Sequence, residues 1–374
     1  MKKIGIITMH RVMNVGSVLQ AYALCEKIKQ LGAEVEIIDY QYPNVYHIQQ
    51  KANRGLIDKF LLLPLRVKYF LLYKKTIQRA RFKHFFDHRM SLSKYYLDRD
   101  SLYADTPQYD IYLTGSDQVW NPACMKGDGV FFCDFVSQAL KASYSASFAT
   151  NEIPDLYKDI YKQYLSGYSY IGVREKDAVK LIKDIVNKDA VTVCDPTLLL
   201  NKCDYLELVN DSQLKLNKKP YILVYALSYA YDPYPRIDEV VDIVKKKLGY
   251  NVLYLHANSV DHYHMGRSIT SAGPSEFIDL FLNASFIVTS SFHGTAFAIN
   301  FEVPFIAIVP SSNHHDSRIE SLLEILGLSK QAISTDQELP IDLPLHVDFD
   351  EARIKLDKYR YKSESFLKTI ITED

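Results

Sequence analysis

Short apolar runs that end abruptly on polar residues recur along this chain, and between them lie stretches with apolar residues every three or four positions. Ile-Gly-Ile-Ile at 4–7 reads as a strand, 18–31 as an amphipathic helix closed by Gly32, and 35–40 as the next strand. That order implies a parallel sheet with right-handed crossovers. Further strands are predicted at 109–113, 142–148, 168–173 and 191–194. A polar stretch at 201–220 precedes a second alternating run: strand 221–227, helix 237–248, strand 252–256, helix 274–283, then strands 286–288 and 305–309. Residues 351–371 have helical composition, and 374 residues exceed one ordinary core. The pattern predicts an α/β fold of two Rossmann-like domains, 1–205 and 215–345, with a C-terminal helix at 350–374 packing back on the first.

Composition is that of a soluble globular protein, and a net charge of −1 carries no global polyanion signature. Nucleic acid is not an expected partner. The distribution is uneven, since residues 51–89 hold eleven Lys or Arg against two acids, Asp58 and Asp87. Leucines and aromatics interleave with these cations. That suits either interfacial helices broken at Pro64 or two ordinary helices covering the first sheet. The five cysteines form no C-x-x-C pair, which points to reduced thiols in a cytoplasmic protein. The opening MKKIGIITMH reads as a first strand rather than a signal peptide, and no apolar run reaches the ~18 residues that span a bilayer.

Chemistry-bearing residues gather where the strands end. At 285–310, Thr289, Ser290 and Ser291 stop a strand, and Phe292-His293-Gly294-Thr295 opens a short helix. In parallel α/β folds ligands sit where strand ends meet helix N-termini, so His293 is a candidate anion-binding group, with capping as its plainer role. Gly294 permits close backbone approach, and the hydroxyls beside it offer hydrogen bonds. The first strand–helix turn carries Asn14 and Gly16 without G-x-G-x-x-G or a P-loop lysine; a structural turn and a ligand contact stand level there. After 109–113 comes Ser116-Asp117-Gln118-Val119-Trp120, where an acid beside the only tryptophan suits a sugar. The alternative places Trp120 in the core and Asp117 in a turn. Arg174 follows another strand and can fork onto carboxylate or phosphate, or pair locally with Glu175 or Asp177. Asp195-Pro196-Thr197 reads as a strand-to-helix turn, architectural rather than chemical. His262, His264, His314 and His315 lack a metal-ligand spacing, and no metal is expected.

Jointly, N-x-G-x-x-L-Q-A-Y-A-L at 14–24, G-S-D-Q-V-W-N at 115–121, Arg174-Glu175, D-P-T at 195–197 and S-F-H-G-T at 291–295 resemble the polysaccharide pyruvyl transferase family in order and approximate spacing. The resemblance implies a GT-B-like arrangement with the active site in the cleft between domains. It also implies phosphoenolpyruvate as donor, a sugar as acceptor, commonly a cyclic pyruvate ketal as product, and no cofactor. The family's histidine-glycine element maps onto His293-Gly294 and its anion-binding arginine onto Arg174. Some members carry an arginine where this chain has Ser291, which leaves Arg318 or Arg11 to supply that charge. On this reading His293 is the general acid or a phosphate-binding imidazolium, and Asp117 the base on the hydroxyl side. Ser290, Ser291, Phe292, Gly294, Thr295 and Arg318 line the donor side, and Asn14, Gly16, Ser116, Gln118 and Trp120 the acceptor side. The acceptor is a free or polyprenyl-linked saccharide; in the second case residues 51–90 would dock on an anionic cytoplasmic membrane face. A sugar-nucleotide glycosyltransferase of the same architecture and a non-catalytic saccharide-binding protein are the rival readings.

Overall fold

A computed structural model describes residues 1–43, 65–216, 219–228, 231–256, 268–311 and 317–373, with the backbone alone for 65–71. Residues 51–64 of the basic segment, His262, His264, His314 and His315 lie outside the described residues. The first sheet contains β1 (Lys3–Ile7), β2 (Glu34–Tyr40), β3 (Leu92–Tyr96), β4 (Ile111–Thr114), β5 (Leu140–Ala146), β6 (Tyr170–Val173) and β7 (Val191–Thr192). Its order is β3-β2-β1-β4-β5-β6-β7, with every pairing parallel. The second contains β8 (Tyr221–Tyr225), β9 (Asn251–Leu255), β10 (Ser268–Ile269), β11 (Phe286–Thr289), β12 (Phe305–Val309) and β13 (Ala332–Ser334). Its order is β10-β9-β8-β11-β12-β13, again wholly parallel. These are two Rossmann-like units in a GT-B-like architecture. Each chain path runs outward from a first strand, then returns to that strand's other side. The topological switch points therefore lie between β1 and β4 and between β8 and β11, where a crevice opens at the strands' carboxyl ends.

Helices connect the strands: α1 (Val15–Gln30), α2 (Leu65–Arg89), α3 (Arg99–Ala104), α4 (Pro122–Met125), α5 (Asp155–Ser166), α6 (Lys176–Val186), α7 (Pro196–Leu199) and α8 (Lys202–Val209) in the first half. The second half adds α9 (Arg236–Leu248), α10 (Pro274–Leu282), α11 (Phe292–Asn300), α12 (Arg318–Leu326) and α13 (Phe349–Thr372). Strands β8, β11 and β12 are buried at every position, as continuous apolar runs covered on both faces must be. The strands the periodicity misses, β3, β10 and β13, are short and at or beside sheet edges, where alternation has too few residues to register.

Three contacts set the two units against each other. The buried Asn300 amide donates to the carbonyls of Thr197 and Leu200, both at 2.8 Å. Arg360 of α13 donates to Leu198 O at 2.6 Å and to Asn300 Oδ1 at 2.8 Å, so the last helix touches both halves. On its first-domain side Ser363 Oγ accepts the Cys194 N–H at 2.9 Å. The basic helix α2 supplies the third contact. Its Phe82 and Phe85 are buried, Phe85 edge-on to Tyr22, while Arg81 pairs with Glu276 at 2.9 Å and donates to Ser271 O at 2.8 Å. Leu72 and Tyr73 stand exposed on the same helix. No helix among the described residues is long and apolar enough to cross a membrane.

Trp120 departs from the expectation of a sugar platform. Its indole is 0 % exposed, stacks on Phe132 at 5.4 Å and meets Phe148 and Tyr168 at 5.3 and 5.5 Å. Its Nε1–H donates to Phe131 O at 3.1 Å. The whole ring belongs to the aromatic core beneath the first sheet, so no face is left for a ligand. Trp120→Ala should destabilise the fold by about 3–5 kcal/mol, read as a lower urea midpoint. An unchanged midpoint with weakened sugar binding would return the indole to the site.

Candidate active site

The loop after β1 shapes one wall. Asn14 caps α1, its Oδ1 accepting the Gly16 N–H at 2.9 Å, which brings Gly16 against the second domain. A Cβ at Gly16 would lie 2.1 Å from His293 Nδ1, so only glycine lets the imidazole approach. The next residue, Ser17, donates its hydroxyl to Asp117 Oδ2. Asp117 follows β4 with φ of 74°, a left-handed conformation uncommon for a side-chain-bearing residue and concentrated at functional sites. Its Oδ1 accepts the Gln118 N–H at 2.9 Å.

Two further strand ends converge on the same point. Arg174, just beyond β6, sends Nη2 to within 2.8 Å of Ser116 Oγ, 3.1 Å of Asp195 Oδ2 and 3.9 Å of Asp117 Oδ1. Its guanidinium sits 4.8 Å over the Phe292 ring, a cation–π contact reaching into the second domain. Asp195, after β7, uses Oδ1 to accept the Thr197 N–H and hydroxyl at 3.0 and 2.7 Å. Its Oδ2 accepts from Ser116 Oγ at 2.9 Å and stands 3.8 Å from His293 Nε2. Asp195 is thus both the cap of α7 and the acid of the cluster. Reading D-P-T as architecture alone misses the second role, although an acid directly after a strand is the same signal that marks Asp117.

His293 comes from the first turn of α11, beyond the β8–β11 switch point, and is 8 % exposed. Burial lowers its proton affinity, and Arg174 and Arg318 act in the same direction; Asp195 and Asp117 oppose them but the net shift is downward. The imidazole is therefore neutral near pH 7 as the site stands. Burial pushes Asp117 upward, yet Arg174, His293, the Ser17 hydroxyl and Arg318 together outweigh it and hold the carboxyl below its usual range. A carboxylate with lowered proton affinity is a weak base and suits a fixed negative charge. Three buried nitrogens, Arg174 Nε and Nη1 and His293 Nε2, have no hydrogen-bond partner among the described residues. Unpaired buried N–H groups on a cation are costly, and such exceptions mark sites that await a partner.

The remaining sequence candidates divide. Ser291 caps α11, its Oγ accepting the Gly294 N–H at 3.2 Å; Thr295 Oγ1 donates to Ser291 O at 3.0 Å. Ser290 Oγ exchanges hydrogen bonds with the Leu227 N–H and carbonyl at 2.8 and 3.0 Å. These hydroxyls build the turn. Gly294 is required by packing, because a Cβ there would lie 2.3 Å from Thr289 Oγ1. Arg318, at the start of α12, crosses to the first domain, where Gln118 Oε1, with its amide turned toward the guanidinium, accepts from both terminal nitrogens at 3.0 and 3.1 Å. Arg11 is elsewhere, donating to Asp39 at 2.6 Å through Nε. Asn14, Gly16, Ser116 and Gln118 all make protein contacts that frame the site.

Solved structures similar to this chain are found at low identity. The S. aureus MnaA–UDP co-structure is 14% identical, with 98% of this chain and 91% of that chain covered and a TM-score of 0.47. UDP-GlcNAc 2-epimerase from Methanocaldococcus jannaschii is 12% identical, covering 94% of this chain and 98% of that chain, with a TM-score of 0.45. The spinosyn rhamnosyltransferase SpnG is 10% identical over 100% of both chains, with a TM-score of 0.44. No curated protein matches the sequence. The family model for polysaccharide pyruvyl transferase matches residues 14–312, a span that takes in Asn14, Asp117, Arg174, Asp195 and His293, and the chain belongs to that family.

Proposed function

We propose that this protein transfers the pyruvyl group of phosphoenolpyruvate to a sugar of a cell-surface polysaccharide precursor, forming a cyclic ketal and releasing phosphate. One observation carries this reading: Arg174 and His293 both reach the Asp195 carboxylate, and Arg174 Nε and Nη1 and His293 Nε2 are buried with no hydrogen-bond partner among the described residues. Phosphoenolpyruvate places a carboxylate and a phosphate on one small frame. Asp195 and Ser116 hold Nη2 of Arg174, which leaves the Nε and Nη1 hydrogens to donate singly to oxygens of an anion. The N-terminus of α11 and Arg318 add positive potential from the second domain. Arg318 thereby stands in for the arginine that some relatives carry at the place of Ser291.

Donor binding supplies the switch that the mechanism needs. A bound phosphate opposes the effect of burial and raises the proton affinity of His293. The imidazolium gives its proton to the methylene carbon, leaving an oxocarbenium-like centre beside it. One acceptor hydroxyl attacks that centre, and the now neutral His293 takes the hydroxyl proton. The second hydroxyl closes the ring as the carbon–oxygen bond to phosphate breaks, and its proton leaves with phosphate. One hydroxyl proton thus balances the proton placed on the methyl group through His293, and the other ends on phosphate. Asp117 stays ionised as a fixed partner of Arg174.

The sugar-nucleotide alternative finds less support. Glu302, the acid nearest the 291–295 motif in sequence, pairs with Arg353 at 2.6 Å and is therefore engaged away from a ribose. The exposed Leu72 and Tyr73 on basic helix α2 agree with docking on the anionic cytoplasmic face of a membrane, where a polyprenyl-linked acceptor would be met.

Acceptor-dependent phosphate release from phosphoenolpyruvate, with the product gaining a pyruvate less water, is the direct test; transfer that requires a nucleotide sugar instead overturns the reading. Folded His293→Ala protein should lose about 10²–10⁴-fold in kcat. Arg174→Lys, which loses the fork and the stacking on Phe292, should raise KM for phosphoenolpyruvate by roughly 10–100-fold, the equivalent of one or two charged hydrogen bonds. The pH profiles separate free from loaded enzyme. Because the His293 proton affinity is lowered when free and raised by donor, kcat/KM should fall through a pKa below 6.5 while kcat falls at higher pH. Coincident limbs in the two profiles would remove His293 as the acid.

A further inference from the structure

We infer that the acceptor saccharide is held in a polar pocket at the carboxyl ends of β2 and β3, beside the catalytic cluster and separate from the residues the motifs mark. The inference takes the pyruvyl-transfer reading for its chemistry. The pocket has a volume of about 810 Å³, within the range of ligand sites, and lies among Arg11, Asp98, Arg99, Asp100, Lys126 and Asp128.

Two loops connect it to the cluster. The β1–α1 loop places Arg11 at the pocket, while Gly16 and Ser17 just beyond it touch His293 and Asp117. The segment after β4 begins with Asp117 and Gln118 at the cluster and ends with Lys126 and Asp128 at the pocket. Strand β2 adjoins β1 and β3 adjoins β2, so at about 4.8 Å per strand the pocket begins roughly 5–10 Å from the β1–β4 crevice.

The lining selects the ligand class. Three cations and three carboxylates face one another, and Arg11 and Arg99 are further neutralised by Asp39 at 2.6 Å and Asp134 at 3.0 Å. A nucleotide or other polyanion needs an excess of positive charge, which this wall lacks. Sugar hydroxyls both donate and accept, and they match alternating carboxylates and cations. Arg11 is also rigid, held over the rings of Phe86 and Tyr95 at 5.2 and 5.4 Å, so little ordering is required on binding.

The test uses a printed array of bacterial surface saccharides, probed without phosphoenolpyruvate, together with calorimetric titration of phosphoenolpyruvate on the same proteins. Wild type should bind a subset of the array. Asp100→Asn and Lys126→Gln, each checked for folding by its thermal melt, should weaken that binding about tenfold or more, as loss of a charged hydrogen bond does. Both variants should bind phosphoenolpyruvate as wild type does, and His293→Ala should retain saccharide binding. Undiminished saccharide binding by both pocket variants, or none by wild type, overturns the pocket. Failure of wild type to bind phosphoenolpyruvate overturns the pyruvyl reading and is seen independently of the array.

Discussion

The buried pair of Arg174 and Asp195 is the constraint around which this site is arranged. Taking two charges out of water costs several kcal/mol for each, and mutual attraction offsets that only when other hydrogen bonds complete the shell. Asp195 completes its own through Thr197, Ser116 and Arg174, and stands 3.8 Å from His293. Arg174 does not complete its own, although its guanidinium also rests over Phe292 of the second domain. A site that leaves a guanidinium half-satisfied gains affinity for a carboxylate or phosphate from the relief of that deficit.

Topology explains why four residues far apart in sequence meet. Each sheet has one switch point, and the fold sets the two against each other across α1 and α11. Asp117 occupies the first and His293 the second, while Arg174 and Asp195 arrive from the two strands farther along the first sheet. The Asn300 amide and Arg360 hold the back of this junction, so the facing elements keep their spacing.

Much of the architecture was legible because parallel strands buried on both faces are continuous apolar runs, and each such run ended on the residues that matter. Arg174, Asp117 and His293 could be picked out as polar residues immediately after an apolar strand. Asp195 carried the same mark but was concealed by Pro196, whose turn-forming habit offers a sufficient structural reason for an acid. Trp120 misled in the opposite direction, since a lone tryptophan beside an acid looks like a sugar platform, and nothing local reveals that Phe132, Phe148 and Tyr168 will enclose it. The pocket by Arg11 was illegible for a related reason. Its lining comes from four separate segments, none with a pattern of its own.

The contact between Gly16 and His293 has a consequence for how such a protein can change. A side chain at 16 displaces the imidazole, and a smaller residue at 293 leaves the glycine without its purpose. Neither position is free to drift alone, although they lie on different domains and nearly 280 residues apart. Through that missing Cβ the two halves of the molecule share one heritable unit, and a recombination that exchanged a single domain would break it.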